Sequence, residues 1–258
     1  MADLWCSTMP YKMDEEDFIP EIKAYNAGSK GAVIVFPGGG YGFRAEYEGD
    51  EIGEWLQSNG VTAFVVEYRI APYKHPAELA DALRAVKTVR HYADEYGIDR
   101  DKIAVMGFSA GGHLATSVSV HYDKDIYEAT DEIDNESARP NASILCYPVI
   151  DMGEYRHDGS RQNLLGRPVT EKMKDFMSLH KQVNENTPEA FIWHTSTDGT
   201  VPLQNSLMYA DALTKENIPC EMHIYPMGPH GMGLAKDEPY VARWADNLLY
   251  WLKNKGWI

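Results

Sequence analysis

The stretch Gly107-Phe108-Ser109-Ala110-Gly111-Gly112 holds the residues with the clearest chemical potential. A G-x-S-x-G pattern arises often enough by chance to mean little alone. Its flanks give it content, because KIAVMGF before it reads as a buried strand and AGGHLATSVSV after it as a helix. A strand that turns directly into a helix crowds the backbone around the serine. Glycines at 107 and 111 relieve that crowding, and Ser109 is expected to stand exposed at the sheet's edge with a strained backbone. The helix N-terminus behind it would offer unpaired N–H groups to developing negative charge. A serine so held attacks acyl carbon once an aligned base removes its proton. The plainer reading is a glycine-rich turn with Ser109 as a helix N-cap.

The base and acid come from later in the chain, since elbows of this kind carry the order serine, acid, histidine. Nine histidines are present, but only His223 and His230 lie late enough. His223 alternates with apolar neighbours in CEMHIY and reads as a strand-face side chain. His230 follows that strand, in the loop Pro226-Met227-Gly228-Pro229-His230-Gly231, and is the candidate base. In the loop after FIWHT, Asp198 is the only carboxylate, placed to orient the imidazole and stabilise its charged form. Asp-Gly is also ordinary turn chemistry, so Asp198 gains weight only beside Ser109 and His230. Asp211, on the following helix, is a poorer candidate.

Charge developing on an acyl oxygen needs donors, and Pro37-Gly38-Gly39-Gly40-Tyr41 follows an earlier strand. Glycines let backbone N–H groups approach without an intervening Cβ. Gly39 and Gly40 are the expected donors, together with the N–H of Ala110. The same loop lacks the lysine of a phosphate-binding P-loop, and no G-x-x-x-x-G-K-[ST] occurs.

The elements that must position these residues alternate in type. Strands are expected at 32–36, 61–68, 102–108, 143–147, 190–195 and 220–225. Helices are expected at 48–59, 76–96, 110–122, 203–217 and 240–253, the second from Leu79, Leu83, Val86 and Val89 at three- and four-residue spacing. Strand, crossover helix, strand, repeated, implies an α/β fold: a mostly parallel central sheet with helices on both faces. No linker or repeat interrupts it, so residues 1–258 are expected to form a single domain. Residues 151–188 break the rhythm. They form either a long surface excursion or a cap over the active site, where insertions at the carboxyl ends of strands gather.

Composition bounds the partners. The chain has 258 residues, 44% of them hydrophobic, which excludes disorder and fibrous repeats. Twenty-four basic against thirty-nine acidic residues leave a net charge of −15, which opposes binding to nucleic acid or an anionic membrane surface. Cys6, Cys146 and Cys220 are too few and scattered for a disulfide framework or a zinc cluster. The acidic start (Asp14, Glu15, Glu16 and Asp17 among its residues) contains no apolar signal-length run, and no segment is long enough to span a bilayer. These features point to the cytoplasm. Whether copies associate into a homo-oligomer is open.

Taken together, PGGGY, the segment Glu67-Tyr68-Arg69-Ile70-Ala71-Pro72 with His75, Pro76 and Asp81, GFSAGGHLA, DGTVP and YPMGPHGMGLA resemble the α/β-hydrolase superfamily. Within it they resemble the small acetyl esterase and acetylxylan-esterase-like branch. The resemblance implies a carboxylic ester hydrolase, working through an acyl-enzyme and needing no metal or organic cofactor. Its substrates would be acetyl or other short acyl esters, of a sugar or xylo-oligosaccharide or of another small alcohol. Pro37 stands where the hormone-sensitive-lipase pattern has histidine. By the same resemblance His75 and Asp81 are structural braces, and His113 packs on the elbow helix. Tyr41, Phe43, Tyr47 and Tyr155 could form a platform for a sugar ring or serve as packing. Two alternatives stay open: an amidase, formamidase or peptidase of the same fold, or a catalytically inactive ligand-binding relative.

Overall fold

A strand covered on one face alternates apolar and polar residues, whereas β3 (Ala32–Phe36), β5 (Ile103–Phe108) and β6 (Ala142–Cys146) are buried along their whole length. Such strands need cover on both sides. The computed structural model, which describes residues 2–5, 8–13 and 18–258, shows that cover. Cys6 and the acidic residues 14–17 lie outside the described residues.

These strands join β1 (Ala2–Asp3), β2 (Glu21–Tyr25), β4 (Thr62–Glu67), β7 (Glu189–Thr195) and β8 (Cys220–Tyr225) in an 8-stranded sheet, ordered β1-β2-β4-β3-β5-β6-β7-β8. The two pairings of β2 are antiparallel, and every pairing from β4 across to β8 is parallel. Successive side chains serve opposite cores. Ile34, Phe36, Val105 and Ile192 pack with residues of α2 (Ala77–His91), α4 (Ala110–His121) and α7 (Gln204–Lys215). Val33, Val35, Met106 and Trp193 pack with those of α1 (Asp50–Ser58) and α8 (Pro239–Asn254). Leu248 and Leu252 of α8 are completely buried, each contributing about 1.5–3 kcal/mol of transfer free energy.

The strand order places the site. β3, β5, β7 and β8 run the same way, so the loops that follow them emerge at one edge of the sheet. The chain leaves β3 toward α1 on one face and β5 toward α4 on the other. Neighbouring strands whose connections part in this way open a crevice between their carboxyl ends.

The elements differ from the sequence reading in four places. β1 and β2 were not expected, because the short EIKAY run buries only Ile22 and Tyr25 and carries little period-two signal. The 76–96 helix is two helices, α2 and α3 (Ala93–Tyr96), parted at Tyr92 (φ −92°, ψ 14°), where the chain bends to bury Ala93 and Ile98. The helix expected from residue 48 begins at Asp50, after a 3-10 turn at Glu46–Glu48, because Glu48 turns inward. Residues 151–188 contain two short helices, α5 (Asp158–Leu165) and α6 (Glu171–Phe176), and a 3-10 turn at Leu179–Lys181.

Candidate active site

Ser109 occupies the turn between β5 and α4 with φ 54° and ψ −116°, a conformation costing about 1–3 kcal/mol for a residue with a Cβ. Three backbone hydrogen bonds hold it there. Its N–H donates to the Cys146 carbonyl at 3.0 Å, and its own carbonyl accepts from His113 at 3.1 Å and Val149 at 3.0 Å. The motif glycines permit close approach: a Cβ on Gly107 would lie 2.0 Å from the Gly111 carbonyl oxygen, and one on Gly111 2.1 Å from that of Phe36. Ser109 is only 6% exposed, so the expected exposed serine is recessed instead. Loops from neighbouring strands rise around it and form a cavity of about 390 Å³.

Histidine and carboxylate reach this serine from β8 and β7. His230 Nε2 lies 2.7 Å from Ser109 Oγ, and His230 Nδ1 lies 2.6 Å from Asp198 Oδ2. With Nδ1–H donating to the carboxylate, Nε2 is free to accept the serine proton. Asp198 Oδ1 accepts the N–H groups of Thr200 and Val201, both at 2.9 Å, and Oδ2 also faces His194 Nε2 at 3.2 Å. Burial opposes its ionisation, but the bonds from His194 and His230, the His230 charge and the Val201 N–H outweigh burial and hold its pKa well below the usual range. His194 is itself fixed, with Ser206 Oγ 2.8 Å from Nδ1 and the Val201 carbonyl 3.0 Å from Nε2. It escaped the sequence reading, although its place four residues before Asp198 was a usable signal.

The glycine loop after β3 sorts its own donors. The Gly38 N–H is taken by Glu48 Oε2 at 2.9 Å. Gly39 (φ 121°) and Gly40 leave their N–H groups without a partner among the described residues, as does Ala110 at the start of α4. A Cβ on Gly39 would lie 2.2 Å from the Phe43 carbonyl oxygen. Glu48 is almost fully buried and also accepts from the Tyr147 hydroxyl at 2.6 Å, which in turn accepts the Gly233 N–H at 2.8 Å. The Tyr147 ring meets His230 edge-on, with centroids 5.0 Å apart. Burial raises the Glu48 pKa against the lowering effects of Tyr147, Gly38 and the His230 charge. This buried link between the glycine loop and the histidine loop had no sequence signature.

The remaining candidates sort by burial. Tyr41 is buried, its hydroxyl 2.9 Å from His113 Nδ1, so it packs rather than offering a sugar platform. Phe43 and Tyr47 are exposed and line the cavity, and Tyr155 does not reach it. Asp81 pairs with Arg69 at 2.7 Å and accepts from Trp5, all buried, and His75 lies 3.0 Å from Glu78. His223 stays on β8 beside Glu221. From residues 151–188, His157, Gly159 and Asn163 line the cavity, and Asn163 Nδ2 donates to the Gly40 carbonyl at 2.9 Å. Among the described residues no group of three or more His, Cys, Asp or Glu side chains converges as metal ligands would, and no helix is long and apolar enough to cross a membrane.

The sequence model of the BD-FAE family matches residues 22–213, most of the chain. The chain belongs to the BD-FAE family. This BD-FAE chain is 38% identical over 235 residues to endo-1,4-beta-xylanase B of Butyrivibrio fibrisolvens, covering 88% of its own length and 37% of that protein. It is 33% identical over 232 residues to the acetylxylan esterase of Xylanibacter ruminicola, covering 86% and 45%. It therefore spans less than half of either curated relative. Among solved structures it matches the acetyl ester-xyloside bifunctional hydrolase of Caldicellulosiruptor lactoaceticus at 42% identity and a TM-score of 0.94, covering 99% of this chain and 96% of that one. The α/β-hydrolase enzyme MGS-M1, from a deep-sea metagenome, matches at 28% identity and a TM-score of 0.72 over 96% and 95%. The BD-FAE chain has the α/β-hydrolase fold.

Proposed function

We propose that the protein is a serine carboxylic-ester hydrolase that removes acetyl or other short acyl groups from a sugar or xylo-oligosaccharide. The observation that carries this reading is the continuous chain from Ser109 Oγ through His230 to Asp198, with contacts of 2.7 and 2.6 Å. Ser109 Oγ attacks the acyl carbon while His230 Nε2 takes its proton, and the acyl oxygen gathers negative charge. The unpaired N–H groups of Ala110 and Gly39, with Gly40 beside them, stabilise that oxygen. Collapse breaks the bond to the leaving oxygen, which receives the proton from His230 and departs as the alcohol. Water then attacks the acyl-enzyme, gives a proton to the same nitrogen, and the acid leaves as Ser109 regains its hydrogen.

The sugar is supported by the acetylxylan esterase and xylanase among the relatives, and by a cavity that combines Phe43 and Tyr47 with polar His157, Asn163 and Thr200. The small cavity volume suits short acyl chains.

The test compares kcat/KM on acetylated xylo-oligosaccharides with that on p-nitrophenyl acetate, butyrate and octanoate, and on formylkynurenine. Acetyl sugars should lead and octanoate should trail. Robust formamide cleavage with negligible acetate hydrolysis would overturn the substrate class. Failure of a fluorophosphonate to label Ser109 would indicate a binding protein rather than an enzyme.

A further inference from the structure

A second imidazole shares the cavity with Ser109 and His230, and the steps above leave it unused. His157 precedes α5 as its N-cap, and its Nδ1 accepts the Ser160 N–H at 3.2 Å. The Ser160 hydroxyl, completely buried, lies 2.8 Å from the same nitrogen. A ring nitrogen that accepts from a backbone N–H carries no proton, so the neutral ring bears its proton on Nε2. Burial, and after it the His230 charge, lower the His157 pKa, which favours the neutral ring.

The ring lies beside the glycine loop and His157 is one of the residues that line the cavity. Its Cε1 lies 3.7 Å from where a Cβ on Gly40 would stand, and Nε2–H has no partner among the described residues. Asn163 fastens α5 to the Gly40 carbonyl at 2.9 Å, which fixes the distance between this donor and the loop. A ring held in this tautomer has only a donor left to offer. It therefore does not duplicate the proton-accepting role of His230.

We infer that His157 is a specificity-determining residue whose Nε2–H donates a hydrogen bond to a free hydroxyl neighbouring the ester on the sugar. The site would then favour an acyl group on a polyol over one on an aryl or simple alkyl alcohol. This rests on the ester-hydrolase reading above, and it gives residues 151–188 a part in choosing the alcohol.

The test uses a methyl xyloside carrying one acetyl group and a free neighbouring hydroxyl, its deoxy counterpart lacking that hydroxyl, and p-nitrophenyl acetate as reference. The native protein should hydrolyse the hydroxylated sugar about five- to tenfold faster in kcat/KM than the deoxy sugar. His157→Asn keeps a capping oxygen for the Ser160 N–H but shortens the donor arm, and should bring that ratio close to one. Equal rates of the native protein on the two sugars overturn the inference, whatever the variant does. A full native ratio retained by a folded His157→Asn overturns it as well. Absence of turnover on every acetyl ester, the aryl acetate included, would instead sink the ester-hydrolase reading.

Discussion

A hydroxyl 2.7 Å from an imidazole and an imidazole 2.6 Å from a carboxylate act as a unit, so losing one member removes most of the whole. Ser109→Ala is expected to lower kcat on p-nitrophenyl acetate by roughly 10³-fold or more, and His230→Ala by a similar factor. Asp198→Asn should cost somewhat less or comparably; near-full activity would mean that the acid lies elsewhere. Glu48 acts one step removed, through the Gly38 N–H and the Tyr147 hydroxyl. Glu48→Gln places an amide N–H against one of these donors and shifts the loop on which the acyl oxygen would rest. We expect kcat to fall about tenfold with little change in KM, a loss of roughly 1.4 kcal/mol confined to the transition state. A rise in KM at constant kcat would show that Glu48 shapes substrate binding rather than the donor loop. The residue types at 109, 198 and 230 were legible because their order and their loops follow strands. Glu48, Tyr147 and His157 were not, because a lone polar residue acquires meaning only from what lies beside it.

At the scale of elements, the alternation of buried strands and amphipathic helices carries most of the fold, and its physical basis is periodicity. β3, β5, β6 and β7 declare themselves because both faces are covered, and α2 because its apolar residues share one stripe. β2 does not, since it pairs antiparallel near the sheet's edge and buries few side chains. Joints between elements rest on buried charge instead. Asp81 on α2 accepts from the Arg69 side chain and backbone and from Trp5, which ties the N-terminal segment to the β4–α2 connection. Asp81→Ala leaves the Arg69 guanidinium buried without its counter-charge, and should destabilise the protein by about 3–5 kcal/mol in urea unfolding. A change below about 1 kcal/mol would mean that water or rearrangement compensates the arginine.

Over the whole molecule, two buried imidazoles tie the helix behind the serine to the segment that helps to wall the cavity. His113 Nε2 lies 3.0 Å from the Met177 carbonyl and His121 Nε2 3.1 Å from that of Phe176. Burial lowers their pKa values to about 3 and about 4, against backbone hydrogen bonds that act the other way. The unfolded chain takes up these protons near pH 6.5, whereas the folded protein resists them until the lower values. Protons thus favour the unfolded state, and stability should fall as pH drops below about 6.5, by about 1.4 kcal/mol per pH unit for each imidazole. Denaturant midpoints measured between pH 7 and 5 check this slope. His113→Gln should flatten it by about one proton, and an unchanged slope would show that other groups set the acid response.

The sequence by itself determined the α/β alternation, the strained serine between strand and helix, and the loops that carry Asp198 and His230. These are local consequences of burial pattern and backbone sterics, which a short stretch of chain carries in its own residues. Tertiary structure alone decided that Ser109 is recessed, that Glu48 takes up the Gly38 N–H, that His194 supports Asp198, and that His157 lines the cavity with its Nδ1 held by the Ser160 N–H. Each of those depends on atoms far apart in the chain meeting within hydrogen-bonding distance, and directional contacts of that range leave no periodic trace in a sequence.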